Sequence, residues 1–286
     1  MPRVKIIECP RDAMQSIKDF IPTNDKIKYL QSLVDVGFDT VDIGSFVSPS
    51  VIPQLSDTSE VIEKIKISNN TKLLVIIANK RGALEACKFS KISYLGYPFS
   101  ISENFQMRNT NKTIKESEKV LTDIKDICAK NKKELVVYLS MGFGNPYGDP
   151  WSLEIVEKWV TYLVDRGIKT ISLSDTIGSA DTDSIGLIFK TLSNKYKNIE
   201  FGVHLHTDPK FWYEKVRTAY DAGCRRFDGA IKGFGGCPMA SDNLIGNMPT
   251  EKLVSFVTEN NLQSSINSDL FEKAYNNSLN IFERYK

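Results

Sequence analysis

The chain carries only two histidines, and both lie in His204-Leu205-His206. On an extended strand, residues two apart face the same side, so both imidazoles point together while Leu205 faces the other way. That is a chelating geometry for a divalent cation. A lone strand histidine is ordinarily a satisfied core residue, but concentrating the whole supply at one strand end favours metal binding. Far away in sequence, Glu8-Cys9-Pro10-Arg11-Asp12 closes another extended run and sets a permanent cation beside an anion. The pair is either a minor surface contact or part of a site to which Asp12 lends a hard oxygen. Two nitrogens plus oxygens, with no thiolate pair, suit octahedral Mg²⁺ or Mn²⁺, and Zn²⁺ also accepts such ligands.

A third group is Gly233-Phe234-Gly235-Gly236-Cys237-Pro238-Met239-Ala240, followed by Gly246-Asn247. Glycines ahead of one cysteine describe either a loop that carries a thiol over a site and excludes water, or a turn around an inert buried thiol. Cys9, Cys87, Cys128 and Cys224 read as small apolar residues. Asp42, in Thr40-Val41-Asp42-Ile43-Gly44-Ser45, and Asp175, in Ser174-Asp175-Thr176-Ile177-Gly178, could enter the same site or cap the helices that follow.

These residues need a scaffold, and eight short apolar or β-branched runs supply one: Val4–Glu8, Thr40–Gly44, Lys72–Ala78, Ile92–Gly96, Leu135–Ser140, Thr170–Leu173, Ile199–His206 and Arg226–Ile231. Between most of them, apolar residues repeat at three and four, as in Ile27-Leu30-Leu33-Val34 and Val156-Trp159-Val160-Leu163-Val164, which predicts amphipathic helices. Gly37, Gly167 and Gly223 stand where helices must stop before the next strand. Alternating β and α over this length predicts an α/β fold, a closed TIM (β/α)8 barrel, with Asp12 on a strand near the one that ends in the histidines. No GxGxxG follows the first run, so a dinucleotide-binding sheet is disfavoured. Residues 1–286 are expected to form a single domain, with a catalytic loop near 233–247 and extra C-terminal helices from about residue 250, around Lys252–Thr258 and Leu270–Arg284.

Composition narrows the partners. With 37 Lys+Arg against 35 Asp+Glu the net charge is +2, which offers no global field for nucleic acid or anionic membranes. The longest apolar run, Leu73 to Ala78, is far short of the roughly 20 residues of a spanning helix. Five widely spaced cysteines without a CxxC pair argue against a disulfide framework and for a reducing compartment. A cytoplasmic protein with a small-molecule substrate is expected, without nucleic acid or membrane partners, acting as a homodimer.

Taken in order, Arg11-Asp12, Ser45-Phe46-Val47-Ser48-Pro49, Ser102-Glu103, Asp175-Thr176-Ile177-Gly178, His204-x-His206 and Gly235-Gly236-Cys237-Pro238 resemble the 3-hydroxy-3-methylglutaryl-CoA lyase family of metal-dependent lyase and synthase barrels. The resemblance runs from about residue 4 to about 258, and its SFVSP and GGCP elements are more specific than the shared HxH. It implies retro-Claisen cleavage of this acyl-CoA to acetyl-CoA and acetoacetate. It also implies Asp12, His204, His206 and Asn247 as ligands of Mg²⁺ or Mn²⁺, with Asn243 competing for the fourth place. Arg11 would hold the thioester oxygen, Cys237 would be the loop thiol in proton transfer, and Glu251 would help organise the site. Asp42 stands where the family usually has the longer Glu. Asn79 and Lys80 are candidates for the CoA nucleotide. The other readings are a Claisen-type synthase that shares the HxH, and a barrel that binds CoA without turnover.

Overall fold

The computed structural model describes residues 3–236 and 245–285. Eight strands, β1 (Lys5–Glu8), β2 (Thr40–Ser45), β3 (Lys72–Ile76), β4 (Ile92–Ser100), β5 (Glu134–Ser140), β6 (Thr170–Asp175), β7 (Glu200–Leu205) and β8 (Arg226–Gly229), are all parallel and close in sequence order, β8 pairing with β1. This is the expected (β/α)8 barrel. Strands of a closed parallel barrel are covered on both faces, and every residue of β2 and β6 is buried, the polar Asp42 and Asp175 included. Leu74, Val136 and Tyr138 pack with Ile76 and Tyr94 as a small cluster separate from the main core, in which strand and helix side chains meet.

The two apolar stripes quoted above lie in helices Thr23–Val36 and Leu153–Asp165. The first ends at Gly37, whose φ of 88° only glycine adopts without strain, and a Cβ there would stand 2.9 Å from the Ser265 carbonyl oxygen. The tail forms helices Thr250–Glu259 and Ser268–Phe282, and the latter packs outside the barrel on Thr23–Val36, with Phe282 edge-on to Tyr29.

Several boundaries differ from expectation. β3 stops at Ile76, two residues before Ala78, whereas β4 continues to Ser100 and β6 to Asp175. β7 ends at Leu205, so His206 lies just beyond the strand, held by an antiparallel bridge to Asn247. β8 ends at Gly229 and gives way to a tight turn at Ile231–Gly233. A short helix, Pro10–Met14, begins one residue after β1, with proline at its start where no amide is needed.

Glu8 ties this end of the barrel together. Wholly buried, it accepts hydrogen bonds from the Ile231 amide (3.0 Å) and the Thr250 hydroxyl, so β1 grips both stems of the segment after β8. Burial, reinforced by the charge of Glu251 and opposed by these two donors, pushes its carboxyl from 4.5 to about 8. The folded protein therefore holds a proton that the unfolded chain releases near pH 4.5, and this group's contribution to stability falls as pH rises from about 4.5 to 8. Glu8→Gln, which imitates the protonated acid, is expected to remove part of that decline, worth up to a few kcal/mol across the window. Urea melts at pH 5 and 8 check this; an unchanged difference between the two would mean that Glu8 is not the proton holder.

Candidate active site

Asp12, from the Pro10–Met14 helix, meets His204 and His206 at the mouth of the barrel, with their ligand-type atoms all within 4.8 Å of one another. The imidazole centroids are 5.3 Å apart, so the spacing expected from the HxH pattern is realised although His206 has left the strand. Asn247 joins them through its bridge to His206. Its amide nitrogen donates to Asp12 Oδ2 (2.6 Å) and to the Phe234 carbonyl (2.8 Å). Its Oδ1 is buried with no hydrogen-bond partner among the described residues. An orphaned buried oxygen beside two imidazoles and a carboxylate is what a hard divalent cation would satisfy, so the donor set fits the expected metal. Asn243 and Cys237 lie outside the described residues.

Electrostatics agree with a cation at this point. Burial, assisted by the neighbouring His204, pushes His206 from 6.5 down to about 4, which keeps its lone pair free for a ligand. For His204 burial opposes charge, but the Asp228 carboxylate and Asp12 outweigh it and raise the value. Burial would raise the Asp12 carboxyl, yet Arg11, both histidines and the Asn247 amide hold it below the usual range. Asp228 was not singled out in the sequence. It lies in register opposite His204 on β8, its Oδ2 is 3.3 Å from His204 Nδ1, and it orients that ring as outer-shell carboxylates orient metal-ligating histidines.

Arg11 stands next to the cluster. Its Nε (2.9 Å) and Nη2 (2.7 Å) both donate to Asp42 Oδ2, while Nη1 donates to Asp12 Oδ1 (3.1 Å) and Gln15 Oε1 (3.0 Å). Among the described residues, four of the five guanidinium N–H groups are thereby used, and one on Nη2 remains. Asp42 is wholly buried; burial lifts its carboxyl to about 6 against the pull of Arg11, so the shorter acid still reaches the site. Gln15, which sequence reasoning passed over, donates to Asp12 Oδ1 at 2.7 Å, and its spacing of three from Asp12 is the signal that could have found it.

A cavity of about 200 Å³ opens above these groups, lined on its polar side by Arg11, Asp12, Asp42, His204 and His206, and on its apolar side by Val47, Ile52, Pro98 and Phe105. Ser45 and Val47 bring the SFVSP run to the cavity. Tyr138 also lines it, with a buried hydroxyl that has no partner among the described residues. Other expected residues stand behind the surface. Asp175 is not among the lining residues: its Oδ1 accepts from Ala180 N (3.1 Å) and its Oδ2 is 3.8 Å from Lys215 Nζ, so it shapes the turn that presents Ser174 and Thr176. Burial, against Lys215, raises it to about 6. Glu251 accepts the Lys232 amide (2.9 Å) and fixes a residue at φ 60° ahead of Gly233. Ser102 caps the Glu103–Thr110 helix by accepting from Phe105 N, and Asn79 caps Lys80–Cys87 by accepting from Gly82 N (2.9 Å), which commits its oxygen to the helix. Lys80 is exposed at the start of that helix.

Comparison with known proteins gives the same picture. The model of the HMGL-like family matches residues 3–276. A hydroxymethylglutaryl-CoA lyase of Bacillus subtilis is 30% identical over 257 residues, covering 90% of this chain and 85% of its own length. The solved Bacillus subtilis HMG-CoA lyase superposes with a TM-score of 0.91 at 28% identity, over 98% of this chain and 95% of that one. An HMG-CoA lyase from Acinetobacter baumannii, solved with coenzyme A and 3-methylmalate, gives 0.90 at 28% identity, over 98% and 92%. A match across nearly the whole barrel, with the histidine pair and Arg11-Asp12 assembled at its mouth, makes this chain a member of the HMGL-like family.

Proposed function

We propose that the protein is a lyase that cleaves 3-hydroxy-3-methylglutaryl-CoA to acetyl-CoA and acetoacetate, with a divalent cation, Mg²⁺ or Mn²⁺, held by Asp12, His204, His206 and Asn247. The observation that carries this reading is the junction of two devices at one cavity: a cation-ready donor set whose Asn247 oxygen lacks a partner among the described residues, and an arginine pinned beside it by a buried carboxylate. The naming of relatives across the family supports the substrate, and the coenzyme A complex of the Acinetobacter relative supports a CoA thioester in this cavity.

The reaction removes the proton of the tertiary hydroxyl, breaks the C2–C3 bond so that the hydroxyl carbon becomes the ketone of acetoacetate, and leaves the bonding pair as an enolate that takes up a proton to become acetyl-CoA. A bound divalent cation supplies the acidity of that hydroxyl, as it does for bound water. Arg11 meets the charge that gathers on the thioester oxygen: its position is fixed by Asp42 and Gln15, and its last N–H is the donor left for a ligand. The apolar side, with Val47, Ile52 and Phe105, excludes water from the enolate and accepts the substrate methyl. Protonation of the enolate is assigned to Cys237 and organisation of its loop to Glu251, on the family resemblance. Of the two CoA candidates Lys80 fits better, because its side chain is exposed whereas the Asn79 oxygen is committed as a cap. A cytoplasmic setting follows from the cysteine pattern and a homodimer remains our expectation; among the described residues no helix is long and apolar enough to cross a membrane.

Incubation with 3-hydroxy-3-methylglutaryl-CoA and Mg²⁺ or Mn²⁺ is expected to yield acetoacetate in equimolar amount with acetyl-CoA. Chelator should stop the reaction, and either metal should restore it. Consumption of a 2-oxo acid plus acetyl-CoA, with no acetoacetate formed, would point to the synthase reading, and ligand binding without turnover to the CoA-binding barrel.

A further inference from the structure

Adjoining the cluster just described is a second one, which shares His204 with it and contains a thiol that the reaction does not use. Cys9 follows β1, and its amide donates to the Gly229 carbonyl of the neighbouring β8 (2.8 Å), so the chain is fixed where the thiol stands. The Cys9 sulfur, a ring nitrogen of His204 and a carboxylate oxygen of Asp228 all lie within 4.8 Å of one another. Cys9 is 1% and Asp228 2% exposed, and both Cys9 and His204 line the cavity, which gives an ion a way in. We propose that Cys9, His204 and Asp228 form a separate subsite for thiophilic divalent cations such as Zn²⁺ or Co²⁺, sharing His204 with the Asp12–His204–His206 cluster.

The two clusters differ in the hardness of their donors. Asp12 and Asn247 offer oxygens, whereas Cys9 offers sulfur, and thiolate selects soft or borderline ions over Mg²⁺ and Mn²⁺. The surroundings favour positive charge. Asp228 Oδ1 and Asp42 Oδ1 are buried with no hydrogen-bond partner among the described residues, and the nearest cation to Asp228 Oδ1 is Arg226 Nε, 4.0 Å away. Burial and the charges of Asp228, Asp42, Asp12 and Glu8 push the Cys9 thiol well above its ordinary value, so without an ion it stays protonated. An entering cation forms the metal–sulfur bond and displaces that one proton to solvent. Three protein ligands would leave a fourth position of a tetrahedral shell for water. Because one imidazole serves both clusters, a thiophilic ion in the lower one withdraws His204 from the upper and acts as an inhibitor that Mg²⁺ or Mn²⁺ opposes. That consequence rests on the metal-dependent reading above; occupancy of the subsite does not.

Titration of the metal-free protein with Co²⁺, followed by near-ultraviolet thiolate-to-cobalt charge transfer and by proton release, tests the subsite without reference to turnover. The band, with release of the thiol proton, is expected in the wild type, in His206→Ala, which spares all three ligands, and in Cys237→Ser, which leaves the Cys9 thiol in place. Cys9→Ser should abolish the band, and circular dichroism confirms that this near-isosteric variant is folded. In turnover assays Zn²⁺ inhibition should weaken at least tenfold in Cys9→Ser while activation by Mg²⁺ persists. Absence of the band in the wild type, or its survival in Cys9→Ser, would overturn the subsite. Loss of the band in Cys237→Ser would assign the sulfur to that residue and equally overturn it. If the band behaves as expected and the protein makes no acetoacetate, the subsite stands and the functional reading fails.

Discussion

Replacing His206 by alanine is expected to abolish tight binding of Mg²⁺ or Mn²⁺ and turnover together. The imidazole is 3% exposed and sits with Asp12 and His204 inside a 4.8 Å cluster, and its depressed value near 4 leaves it neutral throughout the range in which enzymes are assayed. Alanine removes one of two nitrogen donors and leaves Asn247, its bridge partner, with Asp12 as its neighbour in the donor set. Losing an outer-shell carboxylate typically weakens a metal site 10- to 100-fold, so loss of a direct ligand should exceed that range. Asp228→Asn, which keeps the shape but weakens the grip on His204 Nδ1, should fall within it. Calorimetric titration with Mn²⁺ measures both. The fold should survive, because the change empties a small volume at the mouth of the barrel, at a cost of about 1–2 kcal/mol in urea denaturation. Retained Mn²⁺ affinity in a folded His206→Ala protein would sink the ligand assignment.

Much of this site is legible in the sequence because period-two alternation is a strong local rule. His204 and His206 must face together wherever the strand lies, and a barrel mouth collects the ends of all eight strands. Arg11 and Asp12 were visible for the same reason, at the end of the first apolar run. What is not legible depends on register between distant strands. Asp228 looks like any acid in Arg226-Phe227-Asp228-Gly229 until β7–β8 pairing sets it opposite His204, and Cys9 looks like a small core residue until β1 and β8 pair. Direction is hidden too. Asp175 and Glu251 read as site acids, yet a carboxylate at a strand or helix end can turn inward to the cavity or back to stabilise a turn, and only the partners, Ala180 and Lys215 for one and the Lys232 amide for the other, show that both turn back.

Arg11→Lys is the sharper test of mechanism, because it keeps the charge and removes the geometry. The guanidinium bridges three side chains at once: two N–H groups to Asp42 Oδ2, and Nη1 to both Asp12 and Gln15. An ammonium on a flexible stem cannot reproduce that fork, so a lysine that satisfies Asp42 has no donor aimed at the thioester oxygen, and one that reaches the substrate strands a buried carboxylate. The expected result is a fall in kcat of about 10²–10³, the size that loss of one positioned oxyanion donor produces. Mn²⁺ affinity should change by less than tenfold, because Gln15 Nε2 (2.7 Å) and the Asn247 amide (2.6 Å) still hold the two oxygens of Asp12 in place. Stopped assays of acetoacetate alongside Mn²⁺ calorimetry separate the outcomes. A parallel collapse of cation binding would make Arg11 a support for Asp12 alone. An unchanged kcat would mean that positive charge near the thioester suffices without direction. Only a large loss of rate with the cation still bound matches an arginine whose remaining N–H is aimed by Asp42 at the oxygen where charge develops.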